Sequence, residues 1–343
     1  MSEQPEYVDR ARTLIMDTLN QELAVVRLEL EARVSEHFYV GHASNIDPHH
    51  VTTALRELKS DNLIQRVTAP SRGGHQIETI QPANRTNRST AIDRAAARKR
   101  ALYAKYTGWA QGTVRHPQGL IGPAGEQAVR SAILAASALQ PLAPGFGEVS
   151  TVLGVQLSGP VDSAGFLVPQ IAGIPQAPVT AIFEVKNIRG WIYPQSPELF
   201  QVLSKAVELQ AAHPNLPIVP ILVCRRAHET TFWMAKQLGF IVIAMERQYA
   251  GTAMTDEEVI EVRNGLDFND LHRGTGPSLR VQERLQGPIS QNCAEIAETW
   301  RGTSAGLGHY FAALKGKQSS PQRALLMRQL RAASTKRGDR GGW

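Results

Sequence analysis

Glu184 and Lys186 stand two residues apart at the end of the segment TAIFEVKN (180–187), which is otherwise almost wholly apolar. A short run of this texture predicts a β-strand buried on both faces. Side chains alternate along a strand, so residues two apart project from the same face. A carboxylate and an ammonium at the end of a buried strand are costly unless they are paired or put to use. Upstream, GPVD at 159–162 leads into a neighbouring predicted strand and brings a second carboxylate, Asp162, to the same edge. Two carboxylates and a lysine converging there suit hydrolysis of a phosphodiester. Carboxylate oxygens hold Mg²⁺, which keeps several of its waters. The metal polarises the phosphate and acidifies a water, while a lysine positions that water and offsets developing charge. By itself Glu184-x-Lys186 also describes a surface ion pair; its place on the strand separates the two readings.

The elements that must position these groups follow from periodicity. A helix is predicted from Gly122 to about 139, then strands over 149–157, 161–168 and 179–186. A helix over 198–212, a strand over 218–224, a helix over 230–238 and a strand over 240–245 complete the pattern. Three meandering strands followed by an α/β alternation predict an α/β fold, a mixed central sheet flanked by helices.

Asp162, Glu184 and Lys186, spaced Asp–x21–Glu–x–Lys within this order of elements, resemble the motif of the PD-(D/E)xK, or restriction-endonuclease-like, nuclease superfamily. The resemblance covers about 130 residues, and Val161 separates Pro160 from Asp162 where the motif's letter would join them. It implies Asp162 and Glu184 as metal ligands and Lys186 as the group that activates water or stabilises charge. Members often take a further acid from the helix before the first core strand, where Glu126 stands, and some carry a glutamine on the helix after the Glu-x-Lys strand, where Gln201 stands. Glu126 equally fits an ordinary first-turn acid favoured by the helix dipole. Gln201 shares its side with Lys205 and Glu208, which equally describes a solvated face. Glu148, the other acid nearby, would lie at the wrong end of its strand. The implied cofactor is Mg²⁺, with Mn²⁺ its expected substitute; the implied partner is DNA. The implied assembly is a homodimer, since many members pair to cut both strands.

Residues 1–82 read as three helices followed by a hairpin and resemble a winged helix-turn-helix domain, so a small winged-helix domain is expected to precede the nuclease-like sheet. Its third helix opens at Asp47-Pro48 and carries Val51, Ala54, Leu55 and Leu58 on one stripe. The other face then offers His49, His50, Thr52, Thr53, Arg56 and Lys59 to phosphates and base edges, with Arg72 and His75 on the wing. A winged helix used for protein contacts is the alternative. Residues 83–117 read as a basic helical linker whose Arg98, Lys99 and Arg100 would track a phosphate backbone. Residues 118–250 form the nuclease-like domain, and 251–343 a mostly helical extension with a basic tail, disordered over 337–343.

Charge distribution points the same way. The formal net charge is +6, but residues 84–115 hold eight Lys or Arg against Asp93, and 315–343 hold eight against Asp339. Each segment therefore nets +7 and the remainder −8. Clustered cations gain by releasing counterions condensed on nucleic acid; solubilising connectors are the alternative. No apolar run reaches membrane-spanning length, and the opening MSEQPEYVDR lacks the apolar stretch of a secretory signal. Cys224 and Cys293 lie far apart with no CxxC pair, which argues against a disulfide framework or thiolate zinc site and for a reduced, cytoplasmic setting. Gly306-Leu-Gly308 lacks the context of a dinucleotide loop, Gly316-Lys317 that of a P-loop, and neither GxSxG nor HExxH occurs. After the predicted strand ending at Cys224, Arg225, Arg226 and His228 either contact phosphate or cap the next helix. The competing functional class is a non-catalytic DNA-binding regulator that keeps a nuclease-like fold.

Overall fold

Apolar residues at helical spacing build the first element of the computed structural model, α1 (Glu3–Glu22), which buries Ala11, Ile15 and Leu19 along one stripe. The structure describes residues 3–36, 46–71, 73–142, 147–171, 174–274, 276–316 and 319–335. The expected wing residue Arg72 and the expected disordered end, 337–343, lie outside them. After α1 come α2 (Arg27–Glu31), which runs on into a π-helical turn, and α3 (Pro48–Ser60). Proline suits the first turn of α3 because its missing N–H would have no intrahelical partner. The buried stripe of α3 is Val51, Ala54, Leu55 and Leu58, as its spacing predicted. Strands β1 (Ile64–Pro70) and β2 (Gln76–Pro82) form an antiparallel hairpin, and Val25 exchanges two backbone hydrogen bonds with Ile80, at 3.0 and 2.8 Å. Helix α4 (Ser89–Gln111) follows.

The chain then builds α5 (Gly122–Ala135), β3 (Leu139–Pro141), β4 (Val149–Val152), β5 (Val155–Val161), β6 (Ser163–Leu167), the short β7 (Gln170–Ile171) and β8 (Ile174–Pro175), and β9 (Val179–Lys186). Next are α6 (Pro197–Ala212), β10 (Ile218–Cys224), α7 (Glu229–Leu238), β11 (Ile241–Ala244) and β12 (Gln248–Ala250). Among the described residues the central sheet has five strands in the order β11-β10-β9-β6-β3. Strands β9, β10 and β11 are parallel, while β6 is antiparallel to β9 and β3 to β6. The fold class is thus α/β with a mixed central sheet flanked by helices. The strand expected over 149–157 is instead a hairpin. Leu153 and Gly154 adopt φ of 50° and 79°, and a two-residue turn with positive φ matches the twist of the strands it joins. The final elements are α8 (Asp256–Leu266), β13 (Leu271–Arg273), α9 (Leu279–Arg284), α10 (Ser290–Lys315) and α11 (Ser320–Thr335). Among the described residues no helix is long and apolar enough to cross a membrane.

By its internal contacts the chain divides into two units: Met1–Leu120 with Thr252–Arg273, and Ile121–Gly251 with Gly274–Trp343. This differs from the expected linker and separate C-terminal extension. Helix α4 is an integral part of unit 1, because Ile92, Ala96, Leu102, Tyr106 and Trp109 are buried. Helix α8 joins it there, and α10 belongs to the sheet unit. In unit 2 the sheet is covered on both faces. One cluster joins Val179, Ala181, Phe183 and Val185 to Ala128, Val129, Ala132 and Ile133 of α5. The other joins Ile182 to Leu199, Leu203 and Ala206 of α6 and to Trp300, Leu307 and Phe311 of α10. Each buried Val, Leu, Ile or Phe among them contributes roughly 1.5–3 kcal/mol. Coverage on both faces is why β9 carries no apolar/polar alternation.

Unit 1 is organised around a buried charge. Glu29 is fully buried, which pushes its carboxyl upward against the pull of Lys99 and Arg33. The Lys99 ammonium lies 2.5 Å from Glu29 and 2.9 Å from Glu22, and donates to the Gly265 carbonyl at 2.8 Å, tying α2, α1 and α8 to α4. Removing one member of such a cluster leaves the other uncompensated. Lys99→Met is expected to cost about 3 kcal/mol in urea unfolding of unit 1, at the low end for buried pairs because Arg33 remains beside Glu29. A loss below about 1 kcal/mol, the range of exposed pairs, would show that the cluster is not what closes the unit.

Candidate active site

Strand β9 delivers Glu184 to the face that packs on α6, the face that also carries Ile182. Across the sheet, Ser163 of β6 stands opposite Phe183, so one step further along the ladder sets Asp162 beside Glu184. The Asp162 amide donates to the Phe183 carbonyl at 3.0 Å, and one carboxylate oxygen of Asp162, Oδ2, accepts the Val185 amide at 2.5 Å. Asp162 sits where β5 ends and β6 begins, and its side chain takes up a strand amide at that break. Both acids are deeply placed, with Asp162 7% and Glu184 5% exposed.

Two lysines meet Glu184. Lys186 Nζ donates to Oε1 at 2.8 Å, and Lys205 Nζ donates to Oε2, also at 2.8 Å. Lys205 additionally donates to the Pro160 carbonyl and is only 6% exposed, whereas Lys186 is half-buried. One turn along α6, Glu208 accepts from the Ser158 amide at 2.8 Å and from the Ser158 hydroxyl at 2.6 Å. The face of α6 that equally suited solvent therefore grips β5 through Lys205 and Glu208. Lys205 was not singled out in the sequence; its position four residues after Gln201 was the available signal. Gln201 is half-buried one helical turn before it.

Burial pushes the Asp162 carboxyl up to about 7; the neighbouring Glu184 charge adds to this, the Val185 amide opposes it, Glu126 raises it further and Lys186 lowers it. Glu126 is thus close enough to act on Asp162, though its direct partner is Arg130, one turn on, at 2.9 Å. Its helix is seated by Asn187, the residue after Lys186. The Asn187 side chain donates to the carbonyls of Ile121 at 2.6 Å and Tyr249 at 2.7 Å, and accepts the Tyr249 amide at 3.1 Å. A Cβ on Gly125 would lie 2.3 Å from that of Asn187, so only glycine lets α5 approach so near the strand end. Asn187 also went unnoticed in the sequence, because its partners are distant in the chain.

The residues expected to meet DNA are only partly on the surface. His49, Arg56, Lys59, His75 and Arg98 are exposed, and Thr52, Thr53 and Arg100 are half-buried. His50 is buried and stacked on Tyr7, with ring centroids 5.5 Å apart, so it does not belong to the outer face of α3. The turn from His49 to His50 carries it inward. Lys99 is likewise corrected: 4% exposed, it is held by Glu29 and Glu22. Thr52 Oγ1 accepts from Arg27 at 3.0 Å. In unit 2, Arg225 is buried and donates to the carbonyls of Ile188 and Arg189, a clasp on the loop after β9, while His228 caps α7 by accepting the Thr230 amide. Burial pushes the Cys224 thiol up to about 12 and that of Cys293 up to about 11, as suits packing groups without reactivity.

The donor set fits a hard divalent cation. It offers carboxylate oxygens from Asp162 and Glu184, with Glu126 near, and a cation would offset both the burial that chiefly raises Asp162 and the neighbouring Glu184 charge that adds to it. No protein-family model matches the chain, and comparison with curated proteins and with solved structures returned no match.

The raised carboxyl has a signed consequence for the metal-free protein. The folded chain binds the Asp162 proton more tightly than the unfolded chain. No adverse effect is therefore felt below about pH 4, and the cost grows as pH rises to about 7, beyond which the charge is fully buried. A displacement of this size corresponds to at most about 4 kcal/mol. Asp162→Asn, which keeps an oxygen for the Val185 amide, is expected to raise the unfolding midpoint at pH 8 in chelator and to leave it nearly unchanged at pH 4. Equal effects at both pH values would show that the charge of the buried Asp162 carboxyl is not what the substitution relieves.

Proposed function

We propose that this chain is a divalent-metal-dependent DNA endonuclease of the PD-(D/E)xK type, working in the cytoplasm, with DNA gripped by a winged helix in unit 1. The observation that carries the reading is the placement of Asp162 and Glu184 side by side on adjacent antiparallel strands, with Lys186 2.8 Å from Glu184 at the end of a buried strand. Asp162 and Glu184 would hold Mg²⁺ or Mn²⁺, with Glu126 as a further oxygen donor. When bound, the ion supplies Lewis acidity toward a phosphate oxygen and a more acidic water. Lys186, the more accessible lysine, orients the attacking water and offsets charge developing on the phosphate. Asp162 is kept in place by the Val185 amide, and the packed strands beneath exclude water and so strengthen each of these interactions.

The DNA-binding half of the reading is supported by the order helix, bridge at Val25, helix, helix, hairpin in unit 1. It is supported too by the exposed His49, Arg56 and Lys59 on α3 and His75 at the hairpin. The basic segment 84–115 presents less than its formal charge, since Lys99 is held internally and Lys105 pairs with Glu258 and Glu261. A second reading, a DNA-binding regulator without catalysis, draws on the engagement of both Glu184 oxygens by ammonium groups.

Supercoiled plasmid incubated with Mg²⁺ or Mn²⁺ is expected to be nicked or linearised, and chelator to stop the reaction. Glu184→Gln is expected to abolish cleavage, and Lys186→Met to slow it by about 10²–10³-fold, while salt-dependent DNA binding in gel shifts survives in both. Cleavage that persists in Glu184→Gln would end the assignment. Binding without cleavage by the wild-type protein across plasmid, single-stranded and branched DNA would establish the regulator instead.

A further inference from the structure

We infer that Lys205 is a resident cation of the site, filling the place a second divalent ion would take, so that the site works with one metal ion. The inference rests on the nuclease reading above and adds the metal count and the residue that sets it. The two lysines on Glu184 are not equivalent. The Lys186 ammonium donates to Glu184 Oε1 alone among the described residues and its side chain is half-buried, so its Oε1 position can be yielded to an incoming ion. Lys205 is buried and held at two points, Glu184 Oε2 and the Pro160 carbonyl, two residues before Asp162. Its stem emerges from α6 between packed side chains, Ser204 and Ala206 both being buried, and Glu208 beyond it fastens the same helix to Ser158. An ammonium so held bridges a carboxylate and a strand carbonyl, both hard oxygens of the kind a divalent cation would otherwise join.

Charge balance leads to the same count. Ionised Asp162 and Glu184 are matched by Lys186 and Lys205, and Glu126 by Arg130. One divalent ion then leaves the pocket with two positive charges, matching a phosphodiester monoanion attacked by hydroxide. A second ion would add two more in a largely buried setting, where uncompensated charge is expensive. Lys205 is therefore a positioning residue: it holds Glu184 and the end of β5 while Lys186 and the metal meet the substrate.

The test counts Mn²⁺ on the full-length protein by electron paramagnetic resonance of the free ion, with circular dichroism to confirm folding. Wild type is expected to bind one Mn²⁺ that Asp162→Asn loses. Lys205→Met is expected to bind two, both lost when Asp162→Asn is added, the second at least about tenfold more tightly than any second site in wild type. Lys205→Arg is expected to restore a count of one. A folded Lys205→Met that still binds one ion overturns the inference while leaving the nuclease reading intact. Two Asp162-dependent ions in wild type do the same, and this measurement decides the matter even where Lys205→Met does not fold. Wild type with no Asp162-dependent ion overturns the nuclease reading and the inference together.

Discussion

Placing carboxylates at the end of a strand covered on both faces is the constraint to which the rest of unit 2 responds. Glu184 lies on the face of β9 where Ile182 packs against apolar side chains of α6 and α10, and Asp162 lies next to it on the antiparallel neighbour. Two acids so placed repel each other and have lost most of their water. The surroundings answer with a strand amide on Asp162 and two ammonium groups on Glu184, and the residual strain appears as the raised carboxyl of Asp162. A site in which acids are held together against their preference is suited to take up a cation.

The same constraint explains how firmly the flanking elements are fastened. Helix α6 is tied to β5 by Lys205 and Glu208, α5 to the end of β9 by Asn187 and the bare Gly125, and the loop after β9 by Arg225. Lys205, Asn187 and Arg225 are buried polar groups that engage backbone carbonyls, and the half-buried Glu208 accepts a backbone amide. Such contacts are demanding in direction as well as distance, so they fix orientation where apolar contact alone would allow sliding. Unit 1 uses the device differently. Its buried lysine, Lys99, joins α4 to α1, α2 and α8.

Much of this was legible in the chain. The stripe of α3, the doubly buried β9, the α/β alternation after it, and the convergence of Asp162, Glu184 and Lys186 all follow from spacing, because a strand repeats every two residues and a helix every 3.6. Less legible were features that depend on partners far away. His50 and Lys99 look like surface groups from their neighbours in sequence, yet Tyr7 and Glu29 bury them. Leu153-Gly154 turns within the segment 149–157, which reads as one strand, because a lone glycine inside a strand pattern fits a bulge as well as a turn.

The sequence by itself determined the main helices and strands around β9, the mixed sheet and the residue types at its edge, since these rest on periodicity and on the cost of burying charge. Only the tertiary structure decided the division into two units, with residues 252–273 returning to the first, because that depends on which helices find common cores. It alone also turned Lys205 from a residue on an ambiguous helical face into a partner of Glu184. The helix supplies only a direction; the strand across from it, 21 residues earlier, supplies the charge that draws the lysine in.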